Sequence, residues 1–303
     1  MNHLNLDAFK KAVKKHKILT CIIQQEDDVC FSYFSNHKMQ KQLQTINSVT
    51  KTVVGLLIGI ALDEGLISDI DTPIHTYFES YQHLFDDAYK KEITIKHLLT
   101  MTDGLDWPEF GEWEYFAPMV FKSDIIAFIL SRPCLNHPGE VMNYNSGASH
   151  LLGAIIQMVT HETMHSYAKR KLFEPLDISD SKWIEKQGIS LASDGLRIKT
   201  EDMMKIGELI LKDGNNLVPK EWIKTMIQPN KKTYQTLGYY GYHIWVDTFC
   251  NINYYYALGY GGQFIVVIPK HRLIISITSR LYKDSMLPMQ LVKKHILKSL
   301  KIT

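Results

Sequence analysis

The stretch "INSVTKTVVGLLIGIAL", residues 46–62, places a serine and a lysine three residues apart, directly before a long apolar segment. Residues 53–62 would place apolar side chains on every side of a helix, which is typical of a helix that is buried all round. The sequence predicts that this helix begins near Ser48 and runs to about Glu64, because Gly65 suits the left-handed position after a helix. Ser48 and Lys51 then stand in the first turn of a central helix.

Ser48 and Lys51 are spaced as a nucleophile and its base would be. Free backbone N–H groups and the positive end of the helix dipole stabilise negative charge that develops at the first turn. Lys51 lies on the same face one turn on, and partial burial would lower the pKa of its amine so that it accepts the serine's proton. The Ser-x-x-Lys pattern is loose, however, so two polar residues that merely open a core helix remain an alternative.

Two downstream segments contain groups that acyl transfer also needs. In "HPGEVMNYNSGASHLLGAIIQ", Tyr144 precedes a helix predicted to begin near Gly147, and a loop tyrosine near Lys51 can shuttle protons. In "ALGYGGQFIVVIP", glycines open a strand and let a substrate approach the backbone, so the N–H of Gln263 would complete an oxyanion hole. The alternatives are a packing tyrosine and an ordinary turn or bulge.

The two ends of the chain are rich in predicted strands. "KILTCIIQQEDDVCFSYF", residues 17–34, predicts a hairpin, and "GYHIWVDTF", "INYYYALGYG", "QFIVVIP" and "RLIISITS" predict four strands before a helix over about 287–300. The chain between them is mainly helical. The economical arrangement is an α/β (α+β) fold in one domain, 1–303, with an antiparallel sheet from both termini (about 1–46 and 230–303) and an inserted helical lobe (about 47–229).

Composition excludes several classes of protein. The formal charge is +2 and the lysines are scattered, so no nucleic-acid partner is expected. The longest apolar run is about half of the roughly 20 residues that cross a bilayer. The segment "MNHLNLDAFKKAVKK" predicts a surface helix without a secretion signal, which favours the cytoplasm, and an exported form with its signal removed is the alternative. Four separated cysteines, Cys21, Cys30, Cys134 and Cys250, predict reduced thiols, although Cys21 and Cys30 could also face each other across the hairpin.

Six segments in order resemble the serine β-lactamase and penicillin-binding-protein-like hydrolases of the class C branch, also called peptidase family S12. They are "SVTK", "IKHLLTMTDGLDW", "PGEVMNYNSGASHLLGAIIQMVT", "FEPLDI", "SDGLRIKTEDMMKIGELIL" and "GYGGQFIVVIP", and together they cover nearly the whole chain. The resemblance implies the β-lactamase/transpeptidase-like fold and no cofactor. It also implies Ser48 as acylated nucleophile, Lys51 as its base partner, Tyr144 as general acid/base, and oxyanion N–H groups from Ser48 and Gln263.

Departures from the family pattern bear on the substrate. Class C β-lactamases have Tyr-x-Asn and Lys-Thr-Gly, whereas this chain has Ser146 after Tyr144-Asn145 and then Tyr260-Gly261-Gly262. Losing the lysine removes a positive charge that would meet a β-lactam carboxylate. The pattern looks more like the esterase and 6-aminohexanoate-oligomer hydrolase branch, which implies a small ester, amide or peptide substrate contacted by Tyr260, Gly262, Ser146 and Gln263.

Trp107, Trp113 and Tyr115 lie in the loop after the Leu-Leu-Thr segment, which in that branch helps to cover the site. Aromatic loop anchors are the other interpretation. Asp194 stands where the family usually has glycine. A true β-lactamase, a D-alanyl-D-alanine carboxypeptidase or penicillin-binding protein, and a penicillin-recognising binding protein without turnover are the alternatives within this fold.

"HETMH", residues 161–165, matches the His-Glu-x-x-His signature of zinc proteases. The signature needs both histidines on one face of a continuous helix, with Glu162 as base. The apolar helical pattern ends at Val159, however, and a second helix is predicted to begin after a cap near Thr163. We therefore expect a helix break at His161 and no metal site.

Overall fold

The computed structural model describes residues 6–109, 116–234 and 237–300. Its helices, numbered in chain order, are α1 Asp7–Lys15, α2 His37–Lys41, α3 Val49–Asp63, α4 Ala88–Lys91, α5 Ile95–Leu99, α6 Phe116–Met119, α7 Ile125–Leu130, α8 Ser146–Thr160, α9 Met164–Ala168, α10 Thr200–Leu211, α11 Lys220–Met226, α12 Leu287–Val292 and α13 Lys298–Leu300. Short 3₁₀ segments span Ile74–Thr76, Glu79–Leu84 and Pro269–His271, and π-helical turns span Lys169–Phe173 and Lys293–Leu297. None of the helices within these ranges is long and apolar enough to cross a membrane.

The strands are β1 Ile18–Gln25, β2 Asp28–Phe34, β3 Gln44–Thr45, β4 Lys182–Trp183, β5 Glu185–Lys186, β6 Ile189–Ser190, β7 Leu196–Ile198, β8 Lys231–Lys232, β9 Tyr239–Tyr240, β10 Trp245–Phe249, β11 Ile252–Gly259, β12 Gln263–Ile268 and β13 Leu273–Ser279. In the described part of the chain, eight of them form one antiparallel sheet in the order β2-β1-β13-β12-β11-β10-β9-β8. The predicted sheet built from both ends of the chain is confirmed.

Helices cover the sheet because its central strands are apolar on both faces. Every residue of β12 and β13 is buried. Helix α10 packs on β1, β12 and β13, and α3 packs on β11, β12 and α8. The predicted mixed α/β fold class is therefore confirmed.

Helix α3 is the buried central helix that its sequence predicts. Nearly all of its residues are buried, including the polar Thr50, Lys51 and Thr52. Ser48 occupies the N-cap position, and Gly65 follows the helix with a φ of 69°. The helix thus begins and ends where the sequence indicates, and its N-terminal end is fixed inside the protein.

The predicted break in the HETMH segment is also present. Helix α8 ends at Thr160, and His161 takes a left-handed φ of 56°. Helix α9 begins at Met164, with the Thr163 side chain accepting from the N–H of Ser166. The two histidines therefore do not lie on one continuous helix.

The hairpin cysteines do not face each other. Cys21 is paired with Tyr33 across the hairpin and is buried, whereas Cys30 falls at a register shift between the Ile23–Phe31 and Gln24–Val29 pairs and is exposed. The register of the hairpin therefore gives Cys21 and Cys30 different neighbours on the opposite strand. All four cysteines are free thiols in the structure.

Candidate active site

Ser48 lies where the N-terminal end of α3 meets the turn between β11 and β12. The preceding residue, Asn47, has a left-handed φ of 48°, and its side-chain amide donates to the carbonyl of Tyr260 at 2.6 Å. Gly259 allows the turn to approach this closely, because a Cβ there would lie 2.3 Å from the carbonyl oxygen of Ile46. Glycine at 259 is therefore needed to bring the turn between β11 and β12 against the serine.

Lys51 is buried beside Ser48, with only 1% of its surface exposed. Its Nζ donates to Ser48 Oγ at 3.1 Å, to Ser146 Oγ at 3.1 Å and to the carbonyl oxygen of Ser193 at 2.9 Å. Burial lowers the pKa of Lys51 to about 8, although the charges of Glu109 and Asp194 act in the opposite direction. A group with a pKa near the working pH can both accept and return a proton.

Tyr144 completes the predicted catalytic group. It precedes α8, whose N-cap Asn145 accepts from the N–H of Ala148. The Tyr144 hydroxyl hydrogen-bonds to Ser48, and Lys51 Nζ lies 4.9 Å from the centre of its ring. Burial raises the pKa of Tyr144 well above its usual range, the charge of Glu109 raises it further, and the bond to Ser48 opposes the shift. The neutral phenol is therefore a proton donor at ordinary pH.

The ring of Tyr144 is held by aromatic packing. It stacks on the Trp245 side chain with ring centres 5.8 Å apart, and Trp245 stacks in turn on Tyr256. These two residues come from β10 and β11, so the sheet fixes the orientation of the phenol.

Glu109 is a site residue that sequence reasoning missed. Only 2% of its surface is exposed. Its Oε1 accepts from Ser146 Oγ at 2.7 Å, and its Oε2 accepts from the N–H of Ser146 and from Trp107 Nε1, each at 2.8 Å. Ser146 thus bridges Lys51 and Glu109. Glu109 follows Trp107 and Pro108 in a loop, and no periodic pattern there distinguishes it from a solvent-facing acid.

Asp194 is a second carboxylate close to the lysine. It lies next to Ser193, the residue whose carbonyl accepts from Lys51, and its Oδ1 accepts from Ser193 Oγ at 2.9 Å. Burial raises the pKa of Asp194, and the charge of Lys51 opposes the shift. The departure from glycine at this position therefore places a negative charge beside Lys51.

The residues at the turn between β11 and β12 differ in what they contribute to the site. Tyr260 is 43% exposed and lines the cavity above Ser48. The Gln263 side chain is buried and donates to the carbonyl oxygens of Tyr260 and Ser279, so it braces the turn. Gly262, with a φ of 87°, has its carbonyl oxygen bonded to Ser279 Oγ at 3.0 Å. Neither Gly262 nor Gln263 is among the residues that line the cavity.

Trp107 does not line the cavity either. Its side chain is fully buried and edge-packed against Phe128, and its indole N–H supports Glu109 from behind. The anchoring interpretation thus describes its position better than the covering one. Trp113 and Tyr115 lie outside the described residues.

A cavity of about 430 Å³ opens over the serine. Its wall is largely apolar and aromatic, with the hydroxyls of the serine and of Tyr144 at one end; the lining residues are Ser48, Glu109, Tyr144, Trp245, Leu258, Tyr260, Tyr282, Lys283, Ser285 and Met286. A space of this size and character fits a small organic substrate.

The HETMH side chains have other partners. Glu162 forms an ion pair with Arg170, and His165 Nε2 lies 2.9 Å from Ser181 Oγ. His161 is exposed in the loop after α8. Their separate surroundings match the helix break and do not bring the three side chains together.

This fold, with a serine, a lysine and a tyrosine meeting beside the turn between the central strands β11 and β12, is that of the serine hydrolases related to penicillin-binding proteins. The sequence model described as Beta-lactamase matches residues 40–288, and the chain therefore belongs to the β-lactamase family.

The chain is similar to one curated protein in sequence and to two solved structures in fold. Lovastatin esterase of Penicillium rubens is 23% identical over 203 residues, a match that covers 60% of this chain and 51% of the esterase, so the match spans about half of that relative's length. A Bacillus anthracis protein assigned as a 6-aminohexanoate-dimer hydrolase superposes with a TM-score of 0.81 at 17% identity, covering 96% of this chain and 80% of the other. An octameric penicillin-binding protein homologue from Pyrococcus abyssi superposes with a TM-score of 0.75 at 21% identity, covering 94% and 75%.

Proposed function

We propose that this protein is a serine hydrolase that cleaves small esters or linear amides through an acyl-enzyme on Ser48. The observation that carries the proposal is the position of the buried Lys51 Nζ, 3.1 Å from Ser48 Oγ, with the Tyr144 hydroxyl bonded to the same serine. A nucleophile, a base with a pKa of about 8 and a neutral phenol therefore meet at the end of an apolar cavity.

Acylation uses the three side chains in sequence. Neutral Lys51 accepts the proton of Ser48 as Oγ forms a bond to the substrate carbonyl carbon. Tyr144 then donates its phenolic proton to the leaving oxygen or nitrogen as the bond to that atom breaks. The Lys51 ammonium returns a proton to Tyr144, which restores both groups.

The tetrahedral intermediate needs donors for its oxyanion. The N–H of Ser48 has no acceptor among the described residues and lies at the positive end of α3. The N–H of Gln263, the first residue of β12, is the second donor that we propose. Both belong to rigid elements, so the donors are in place before the negative charge develops.

Deacylation reverses the same proton transfers with water as the nucleophile. Tyr144 and Lys51 remove a proton from the water as it attacks the acyl carbon, and Ser48 leaves with a proton from Lys51. Glu109 holds Ser146, and through it Lys51, in position for both half-reactions.

The walls of the cavity favour small apolar acyl groups. Tyr260 stands where class C β-lactamases have lysine, so this position offers no cation for a β-lactam carboxylate. We therefore propose linear esters or amides as substrates and keep a β-lactamase or D-alanyl-D-alanine carboxypeptidase as the second candidate, since Ser48, Lys51 and Tyr144 suit that chemistry too.

The test is hydrolysis of p-nitrophenyl butyrate by the wild type, by Ser48→Ala and by a control, Ser299→Ala, each with and without EDTA. Intact mass is recorded in the first seconds. We expect turnover that requires Ser48, ignores EDTA and passes through a butyryl adduct, while Ser299→Ala behaves as wild type. Turnover that survives in Ser48→Ala would overturn the mechanism, and an adduct that never hydrolyses would favour the binding-protein alternative.

A further inference from the structure

A second groove lies beside the catalytic cavity. It has a volume of about 560 Å³ and is formed where the residues after α1 face the segment between β13 and α12; its lining residues are Lys15, His16, Lys17, Arg280, Leu281, Tyr282, Lys283 and Asp284. Neither the family motifs nor the proposed mechanism uses this groove.

The groove is positively charged although the whole chain is close to neutral, at +2. Lys15, Lys17, Arg280 and Lys283 are all exposed, and Asp284 is the one carboxylate among the lining residues. None of the four cations is among the ion pairs formed within the described ranges. Unpaired cations around a concave surface concentrate positive potential and attract anions.

The groove and the catalytic cavity share part of their wall. Tyr282 and Lys283 line both. At the shared edge the Tyr282 ring lies 5.4 Å from the Tyr260 ring, and both rings are about half exposed. A substrate chain that extends from Ser48 across this pair of rings therefore lies on an apolar surface and then reaches the cations.

We propose that the groove is an anion subsite, and that the substrates are esters or amides with a carboxylate or phosphate separated from the scissile bond by an apolar spacer. This inference rests on the proposed hydrolase function and specifies its substrate class. The spacer covers Tyr260 and Tyr282, and the anion is held by Lys17, Arg280 and Lys283. Because these cations are exposed, their effect is screened by salt.

The experiment compares matched substrates that differ in charge. On the acyl side, mono-p-nitrophenyl suberate and the p-nitrophenyl ester of 8-(phosphonooxy)octanoate are compared with p-nitrophenyl methyl suberate. On the leaving-group side, 8-(butyryloxy)octanoate is compared with its methyl ester by release of butyrate. Comparison of the two acyl-side anions shows whether the groove prefers a carboxylate or a phosphate. Comparison of the acyl-side and leaving-group-side substrates shows which end of the substrate occupies the groove.

We expect an anionic substrate to exceed its neutral partner in kcat/KM by about tenfold or more at low ionic strength, mainly through KM, and the advantage to shrink in salt. Arg280→Glu and Lys17→Glu should each remove most of this preference. The matched control is Lys270→Glu, in the turn after β12, about 20 Å along that strand from the site; it makes the same change of charge and should keep the preference.

Ser48-dependent turnover of the neutral esters with no anion preference on either side would overturn the subsite and leave the hydrolase intact. A preference that Lys270→Glu reduces equally would also overturn it, because the effect would then belong to the overall charge. If no ester is hydrolysed, calorimetry of octyl phosphate with Ser48→Ala decides the point: binding that Arg280→Glu abolishes supports the subsite, and absence of binding refutes it.

Discussion

Ser146 Oγ donates a hydrogen bond of 2.7 Å to Glu109 Oε1 while it accepts one of 3.1 Å from Lys51 Nζ. The serine is therefore a fixed link between the buried lysine and a buried carboxylate. Because a buried ammonium is stabilised by nearby negative charge, Glu109 and Asp194 keep the pKa of Lys51 from falling as far as burial alone would take it.

The rate of acylation should follow the titration of Lys51. Because the neutral amine is the base, kcat/KM is low where Lys51 is protonated and rises with pH through about 8. The measurement is kcat/KM for p-nitrophenyl butyrate from pH 6 to 10, corrected for spontaneous hydrolysis. A flat profile through pH 8 would show that Lys51 is not the titrating base.

Replacing Glu109 by glutamine should move that profile to lower pH. The charge of Glu109 raises the pKa of Lys51. Removal of that charge therefore lowers the pKa of Lys51, and the amine becomes neutral at a lower pH. Asp194→Asn should shift the midpoint in the same direction, while Glu174→Gln, an exposed carboxylate, should leave it unchanged. A Glu109→Gln midpoint equal to or above that of the wild type would contradict the electrostatic role.

Tyr144→Phe should slow turnover by about 10²- to 10⁴-fold, the usual contribution of a general acid or base. The loss should be larger for ethyl butyrate than for p-nitrophenyl butyrate, because nitrophenolate leaves with little need of a proton whereas ethoxide requires one. The check is the ratio of the two losses measured on the same preparation. Equal losses for both esters would indicate a structural role for the ring, which stacks on Trp245.

His161→Ala should leave esterase activity within about twofold of the wild type. The side chain is exposed at the break that directly follows α8. Initial rates for the variant and the wild type, with circular dichroism as the control for folding, provide the comparison. A loss of activity as large as that of Ser48→Ala would restore the HETMH hypothesis.

Gly59→Ala should destabilise the fold, because a Cβ at this position would lie 2.2 Å from Cδ1 of Trp222. Overpacking of a well-packed core costs about 1–3 kcal/mol. Urea unfolding of the variant and the wild type gives the difference in free energy. A variant at least as stable as the wild type would show that the Trp222 ring moves without cost.

Much of the fold could be predicted because its signals are local. The central helix from Ser48 to about Glu64, the terminal hairpin, the last four strands and the break at His161 each follow from turn residues, caps and periodicity within a few residues. The facing of Cys21 and Cys30 was open from sequence, because it depends on the register of the hairpin, which the quoted pattern does not fix to the residue.

The roles at the site divide in the same way. Ser48, Lys51 and Tyr144 each stand in a loose local pattern, and the order of six segments along the chain is what singles them out; the structure brings the three together. Glu109 and Trp107 were harder, because both lie in a loop whose pattern does not show which side chain turns inward. Trp107, for which covering the site and anchoring the loop were both open, supports the carboxylate that sequence reasoning overlooked.

The sequence by itself determined the place of a serine and a lysine in the first turn of an apolar helix, of a tyrosine before a second helix and of a glycine turn before a strand, since spacing within one element is set by backbone geometry. Only the tertiary structure decided the charge around Lys51. Ser146 and Glu109 are 37 residues apart in the chain, and Lys51 and Ser193 are 142 apart. Burial and proximity across such distances depend on how whole elements pack, and they set the pKa on which the proposed chemistry depends.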